Sequence, residues 1–100
     1  MKLVQKYFTS WLEHKKPHDT VGDIGEAKSC PIALYILDKN PKHVVKVWNV
    51  SYLVKERGGE YVHKDMPDWA ETFVNSVDNL NGGVITALEC LNILKEIDPG

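Results

Sequence analysis

The apolar residues of this chain change their period along its length. Leu3, Val4, Tyr7, Phe8, Trp11 and Leu12 recur at i, i+3, i+4 spacing, which places them on one stripe and predicts a helix over 2–16. His14, Lys15 and Lys16 fall in its last turn, where positive charge complements the helix dipole, and Pro17 stops it. Residues 18–29 (HDTVGDIGEAKS) lose the pattern and read as a loop. In 30–38 (CPIALYILD) almost every position is apolar. Ser29 or Cys30 as N-cap and Pro31 in the first turn predict a short helix buried on most sides, with a strand as the competing reading. From Val44 the β-formers take over. Strands are predicted at Val44–Trp48, Ser51–Lys55 and Glu60–His63, joined as an antiparallel meander with a turn at 55–60. Period two puts Lys42, Val44, Lys46 and Trp48 on one face of the first strand.

Residues 67–97 return to helical spacing. Trp69, Phe73, Val77 and Leu80 form the stripe of a helix from Asp68 to about 79, and Gly82-Gly83 break it. Thr86 and Glu89 form a capping box that opens a last helix. Ala87, Leu88, Cys90, Leu91, Ile93, Leu94 and Ile97 cover most of that helix, which predicts it to be the most enclosed. The expected fold is α+β: four helices with a small three-stranded antiparallel sheet, and the C-terminal helical hairpin as core.

Composition narrows the picture. One hundred residues suit a single domain. No run approaches the roughly 20 apolar residues of a membrane span. Lys6, Glu13 and His14 interrupt the N-terminal stretch, so it does not read as a secretory leader, and a cytoplasmic location is expected. Cys30 and Cys90 are two and far apart, which favours reduced thiols over a disulfide framework. The net charge is −2, but residues 1–57 carry ten Lys/Arg against six Asp/Glu (+4), and residues 58–100 carry two against eight (−6). Such a split can steer a partner or draw two copies together.

Candidate chemistry is scattered. Asp78–Glu89 (DNLNGGVITALE) resembles the twelve-residue calcium loop of the EF-hand family. Asp78 stands first, Gly83 sixth, Ile85 eighth, Thr86 ninth and Glu89 last. The resemblance implies Asp78, Thr86 and Glu89 as calcium ligands. Leu80 and Gly82 occupy the third and fifth places, where oxygen ligands are expected, and the capping box accounts for Thr86 and Glu89 without a metal. Gly22–Ser29 is one residue from the P-loop pattern, with Ala27 in place of the last Gly. It lacks the preceding strand, which leaves Lys28 and Ser29 as an anion-binding candidate at the second helix start. Cys30 lies at the same helix start, where a thiol can be activated with His14 or His18 as base. His14 and His18 have i, i+4 spacing, but Pro17 divides them and no second ligand pair follows.

Lys46, Trp48 and Tyr52 are the partner-binding candidates. With Lys39, Lys42, His43 and Lys55 they could form a basic, aromatic face for nucleic acid. No cofactor is expected. With no convergent catalytic set, the pattern points first to a small non-catalytic interaction or regulatory protein. Its expected partner is another protein or a second copy of itself. A nucleic-acid-binding accessory protein and a small cysteine enzyme are the alternatives.

Overall fold

In a computed structural model that describes residues 3–48, 50–56, 58–80 and 82–97, the chain forms a mixed α+β globule. Four helices are α1 (Gln5–Glu13), α2 (Pro31–Lys39), α3 (Asp68–Asp78) and α4 (Ala87–Lys95). Strands β2 (Val44–Val47), β3 (Ser51–Lys55) and β4 (Tyr61–Asp65) make an antiparallel sheet in the order β2-β3-β4. Two further strands, β1 (Thr20–Ile24) and β5 (Gly83–Thr86), pair antiparallel as a separate ribbon.

That ribbon corrects the reading of 18–29 and of the Gly-Gly segment as plain loops. Each half holds β-formers (Thr20, Val21 and Ile24; Val84, Ile85 and Thr86) but is short and glycine-bearing, so its extended form depends on a partner about 60 residues away in the chain. The pairing ties the start of α4 to the segment after α1. It is extended by hydrogen bonds from Ala87 N–H to Asp19 C=O (3.0 Å) and from Leu88 N–H to Pro17 C=O (3.0 Å).

Phe8 is the centre of an aromatic cluster. It lies edge-on to Tyr35 (5.3 Å) and Phe73 (5.2 Å) and stacks on Trp11 (5.9 Å), with Trp69 tilted against it at 5.7 Å. This cluster joins α1, α2 and α3, and Ile32, Ile36, Val77, Ile85 and Cys90 continue the core toward the ribbon and α4.

The most enclosed helix is α2, not α4. Pro31, Ile32, Ala33, Tyr35 and Ile36 are buried, because α2 packs against α1, β1 and β2 together. α4 rests on α1 and α3 and buries only Ala87, Cys90 and Leu94, while Leu88 stays exposed. An apolar circumference sets how much burial a helix can use, and the placement of its neighbours sets how much it receives: α2 lies against α1 and a strand of each sheet.

Candidate functional site

The three-stranded sheet has two unlike faces. Opposite partners across the strands are Val47–Tyr52–Lys64 and Val45–Val54–Val62, and these rows face the helices. Val45, Val47 and Tyr52 are buried there, under β2 and β3, where α2 packs. The cover ends before β4, so Val62 is 53% exposed although it belongs to the inward face.

The other face is open. Its rows are Val44–Lys55–Tyr61 and Lys46–Leu53–His63, with Trp48 bonded through its N–H to Ser51 C=O (2.9 Å) at the near end. Val44, Trp48 and Tyr61 are exposed and Leu53 is half-buried. The ammonium groups of Lys46 and Lys55 lie 5.3 Å and 5.5 Å from the centre of the Tyr61 ring, within cation–π range. Trp48 and Tyr61 sit at opposite corners. Two strand spacings across and four residues along put them roughly 16 Å apart, with the lysines between.

The sheet's two edges also differ. On β2 the Val47 N–H donates to the Ala27 C=O (2.8 Å), so the 25–30 turn covers that edge. On the other side Met66 N–H donates to Val50 C=O, and antiparallel alternation then directs the main-chain groups of Tyr61, His63 and Asp65 outward. Among the described residues nothing pairs with them.

The expected partner-binding residues separate accordingly. Lys46 and Trp48 share the open face, as period two required. Tyr52 does not: it is buried on the opposite face beside Val47, with burial holding its phenol above the ordinary value of 10.0. Tyr61 takes its place, which was not legible beforehand because the 55–60 turn leaves the register of β4 open. Of the residues expected to complete the face, Lys55 lies on it, Lys39 ends α2, and His43 lies just before β2. Trp11 is buried and Trp69 is half-buried against the core, so of the three tryptophans only Trp48 is exposed.

Cys30 is the N-cap of α2, but it is turned inward and 8% exposed. Burial raises its thiol from 9.0 to about 11, against the opposing pull of the Ala33 and Ile32 amides. The helix start therefore points its free amides at a buried sulfur, and at neutral pH that sulfur holds its proton. His14 is exposed, with Nδ1 2.7 Å from the Ser10 C=O, and His18 is exposed beyond the helix end. The Ser29 and Cys30 N–H groups both donate to the Glu26 C=O (3.3 and 2.9 Å), and Pro31 has none, so no fan of free amides remains beside Lys28 and Ser29.

The calcium-loop resemblance meets a different structure. Asp78 closes α3, and Gly83–Thr86 is extended and paired with β1. The Glu89 carboxylate accepts from Thr86 N–H (3.1 Å) and Thr86 Oγ1–H (3.0 Å), while Glu89 N–H donates to Thr86 Oγ1 (3.3 Å). These are the reciprocal bonds of a capping box. Asn81 of this loop lies outside the described residues. Among the described residues no three His, Cys, Asp or Glu side chains converge as a metal-binding group, and no helix is long and apolar enough to cross a membrane.

Compared with known proteins, the chain matches no family model, no curated protein and no solved structure.

Proposed function

We propose that this chain is a small non-catalytic interaction protein that acts by protein–protein contact through the open face and free β4 edge of its three-stranded sheet. One observation carries this reading. Of the nine large apolar side chains exposed among the described residues, five (Val44, Trp48, Val50, Tyr61 and Val62) belong to this sheet and its first turn. Exposed apolar side chains on a sheet with one uncovered strand edge, two of them (Tyr61 and Val62) on that edge strand, suit a partner that adds its own backbone to the sheet. A benzophenone photo-crosslinker carried at position 48 or 61 in the native cell tests the reading, with position 72 on α3 as control. Discrete protein adducts at 48 and 61, absent at 72, are expected. The same adducts at all three positions, or none at the sheet positions, would refute it.

The two lysines over Tyr61, with Trp48 across the face, favour a second reading, in which bases of single-stranded nucleic acid stack there and phosphates meet Lys46 and Lys55. Fluorescence anisotropy with labelled oligo(dT) and oligo(U) at low salt tests it. Binding that weakens with added salt and with Lys46→Ala supports it, and unchanged anisotropy removes it.

A further inference from the structure

The cleft between α1 and the C-terminal end of α2 stands apart from the sheet surface. It is lined by Tyr7, Ser10 and His14, at i, i+3, i+7 along α1 and its C-cap, by Tyr35, Asp38 and Lys39 of α2, and by Trp11, Lys15 and Asn40. Its volume is about 700 Å³, within the 300–1,000 Å³ common for small-molecule sites.

Tyr35 is the informative residue. Its ring is fixed edge-on against Phe8 and Trp11, at 5.3 and 5.4 Å, and only 2% of the residue is exposed. Buried tyrosyl hydroxyls normally find a partner. This one makes no hydrogen bond to a described residue, yet its oxygen is not sealed off, and the residue lines the cleft. Burial first, and then the neighbouring Tyr7 phenol, raise its pKa above 10.0. The hydroxyl therefore keeps its proton at neutral pH and faces the cleft as an oriented donor without an acceptor.

The charges around it select the ligand. Lys15 and Lys39 bring two ammonium groups. The one carboxylate of the lining, Asp38, already accepts from the Trp11 indole Nε1–H at 2.7 Å. A cationic ligand would meet a net positive lining, two ammonium groups against one carboxylate, and a hydrocarbon would leave the donors unpaired. An anion satisfies the hydroxyl and both lysines. The Lys15 ammonium lies 4.9 Å from the Trp11 ring centre and the Lys6 ammonium 5.8 Å from that of Tyr7, but Trp11 is buried while Tyr7 is 57% exposed, so only the Tyr7 ring keeps surface open for a ligand to stack on.

We infer that this cleft is a binding site for a small aromatic anion, a flat ring bearing a carboxylate or phosphate, held by Tyr35, Lys15 and Lys39 and stacked on Tyr7. This stands independently of the sheet reading.

The test follows the Trp11 indole N–H signal by NMR, identified through its loss in Trp11→Phe. The probes are adenosine monophosphate and 4-hydroxybenzoate, with adenosine and inorganic phosphate as the two halves of the first. A saturable shift with at least one aromatic anion at about 1 mM is expected. Tyr35→Phe and Lys39→Ala, which disturb little of the core, should each weaken it about tenfold, the worth of one hydrogen bond to a charged group. No shift with either anion would overturn the proposal. So would adenosine binding as well as its monophosphate, phosphate alone reproducing the effect, or undiminished binding in both variants.

Discussion

The closest approach between elements that a single substitution can test is at Gly22. There β1 runs against the start of α2. A Cβ on Gly22 would stand 2.6 Å from the Pro31 nitrogen, 2.8 Å from its Cδ and 2.9 Å from the Cys30 carbonyl carbon, where ordinary contact begins at 3.4 Å. The shortfall, 3.4 − 2.6, is 0.8 Å. All three atoms are backbone or proline ring, so no rotamer change relieves it. The strand must retreat from the helix, and the hydrogen bond from Asp23 N–H to Ser29 C=O, now 2.8 Å, stretches with it. A direct retreat takes that bond to about 3.6 Å, past useful hydrogen-bond length.

Overpacking of this kind costs about 1–3 kcal/mol, and the weakened bond adds about 0.5–1.5 kcal/mol. Alanine restricts the unfolded chain and returns about 0.4–1 kcal/mol. Gly22→Ala is therefore expected to destabilise the fold by about 2–3 kcal/mol, a large share of the 5–15 kcal/mol typical of a domain. Urea unfolding followed by far-UV circular dichroism reads this as a lower midpoint at unchanged slope. Two other glycines separate crowding from backbone conformation. At Gly25 nothing lies within 4 Å but φ is +78°, so only the left-handed penalty applies, about 1 kcal/mol. At Gly82 nothing lies within 4 Å and φ is outside the left-handed region, so Gly82→Ala is neutral or slightly stabilising. A Gly22→Ala protein within about 0.5 kcal/mol of the parent would refute the packing reasoning, since that is the range of inconsequential surface changes.

Other outcomes follow from the same coordinates. Thr86→Ala removes the acceptor for Glu89 N–H and is expected to cost about 1 kcal/mol, seen as a drop of roughly 4–8 °C in thermal midpoint; Glu89→Gln, which can still bond back to Thr86 N–H, should cost less. Native Cys30 is expected to react with iodoacetamide far more slowly than a free thiol at neutral pH and to reach the free rate in urea, because its thiol is buried and raised to about 11; fast native labelling would contradict this. Stability should also fall in alkali. Cys30 and Cys90 keep their protons to about 11 and about 12 when folded, while the unfolded chain releases them near 9.0. Above that point the unfolded state binds fewer protons, so the thiol contribution, whole below pH 9.0, is lost as pH rises toward the folded values. Urea midpoints from neutral pH to about 10.5 that show no decline, or the same decline in Cys90→Ala, would count against it.

The helices were legible because each carries its own instructions. The stripe of α1, Pro31 at the start of α2, and the reciprocal Thr86–Glu89 cap are local signals; α2 and α4 start where those signals put them, while α1 spans Gln5–Glu13 rather than 2–16, so His14, Lys15 and Lys16 follow it instead of forming its last turn. The β1–β5 ribbon was not legible. In 20–24 (TVGDI) and 83–86 (GVIT) only Val21 and Ile85 are buried apolar residues, too few to display a period. What makes them strands is their pairing, and pairing across about 60 residues leaves no local trace. The rank of the helices by burial failed for a related reason. α4 has the more continuous apolar surface, but α2 is enclosed between α1 and a strand of each sheet, whereas one neighbour of α4 is only the strand that leads into it, and that arrangement is a property of topology.

The open sheet face shows the same division within one site. Parity along β2 joined Lys46 to Trp48 correctly because a strand's alternation is local. It could not be carried to Tyr52. Trp48 pairs with Ser51, so the next residue on β3 falls opposite Val47 and takes the core side. Counting through that turn as if the strand continued gives Tyr52 the parity of Trp48; reversing at the turn gives it the parity of Val47. Tyr61 lies one longer turn further on, where even the reversal does not fix the register. An aromatic therefore occupies the face as expected, but it arrives from β4, next to the free edge rather than in the middle of the sheet. That shift bears on the proposed contact. On β3 the aromatic would have offered only a flat surface. On β4 it adjoins the outward main-chain groups of Tyr61, His63 and Asp65, so one partner segment can pair with the edge and cover the ring together.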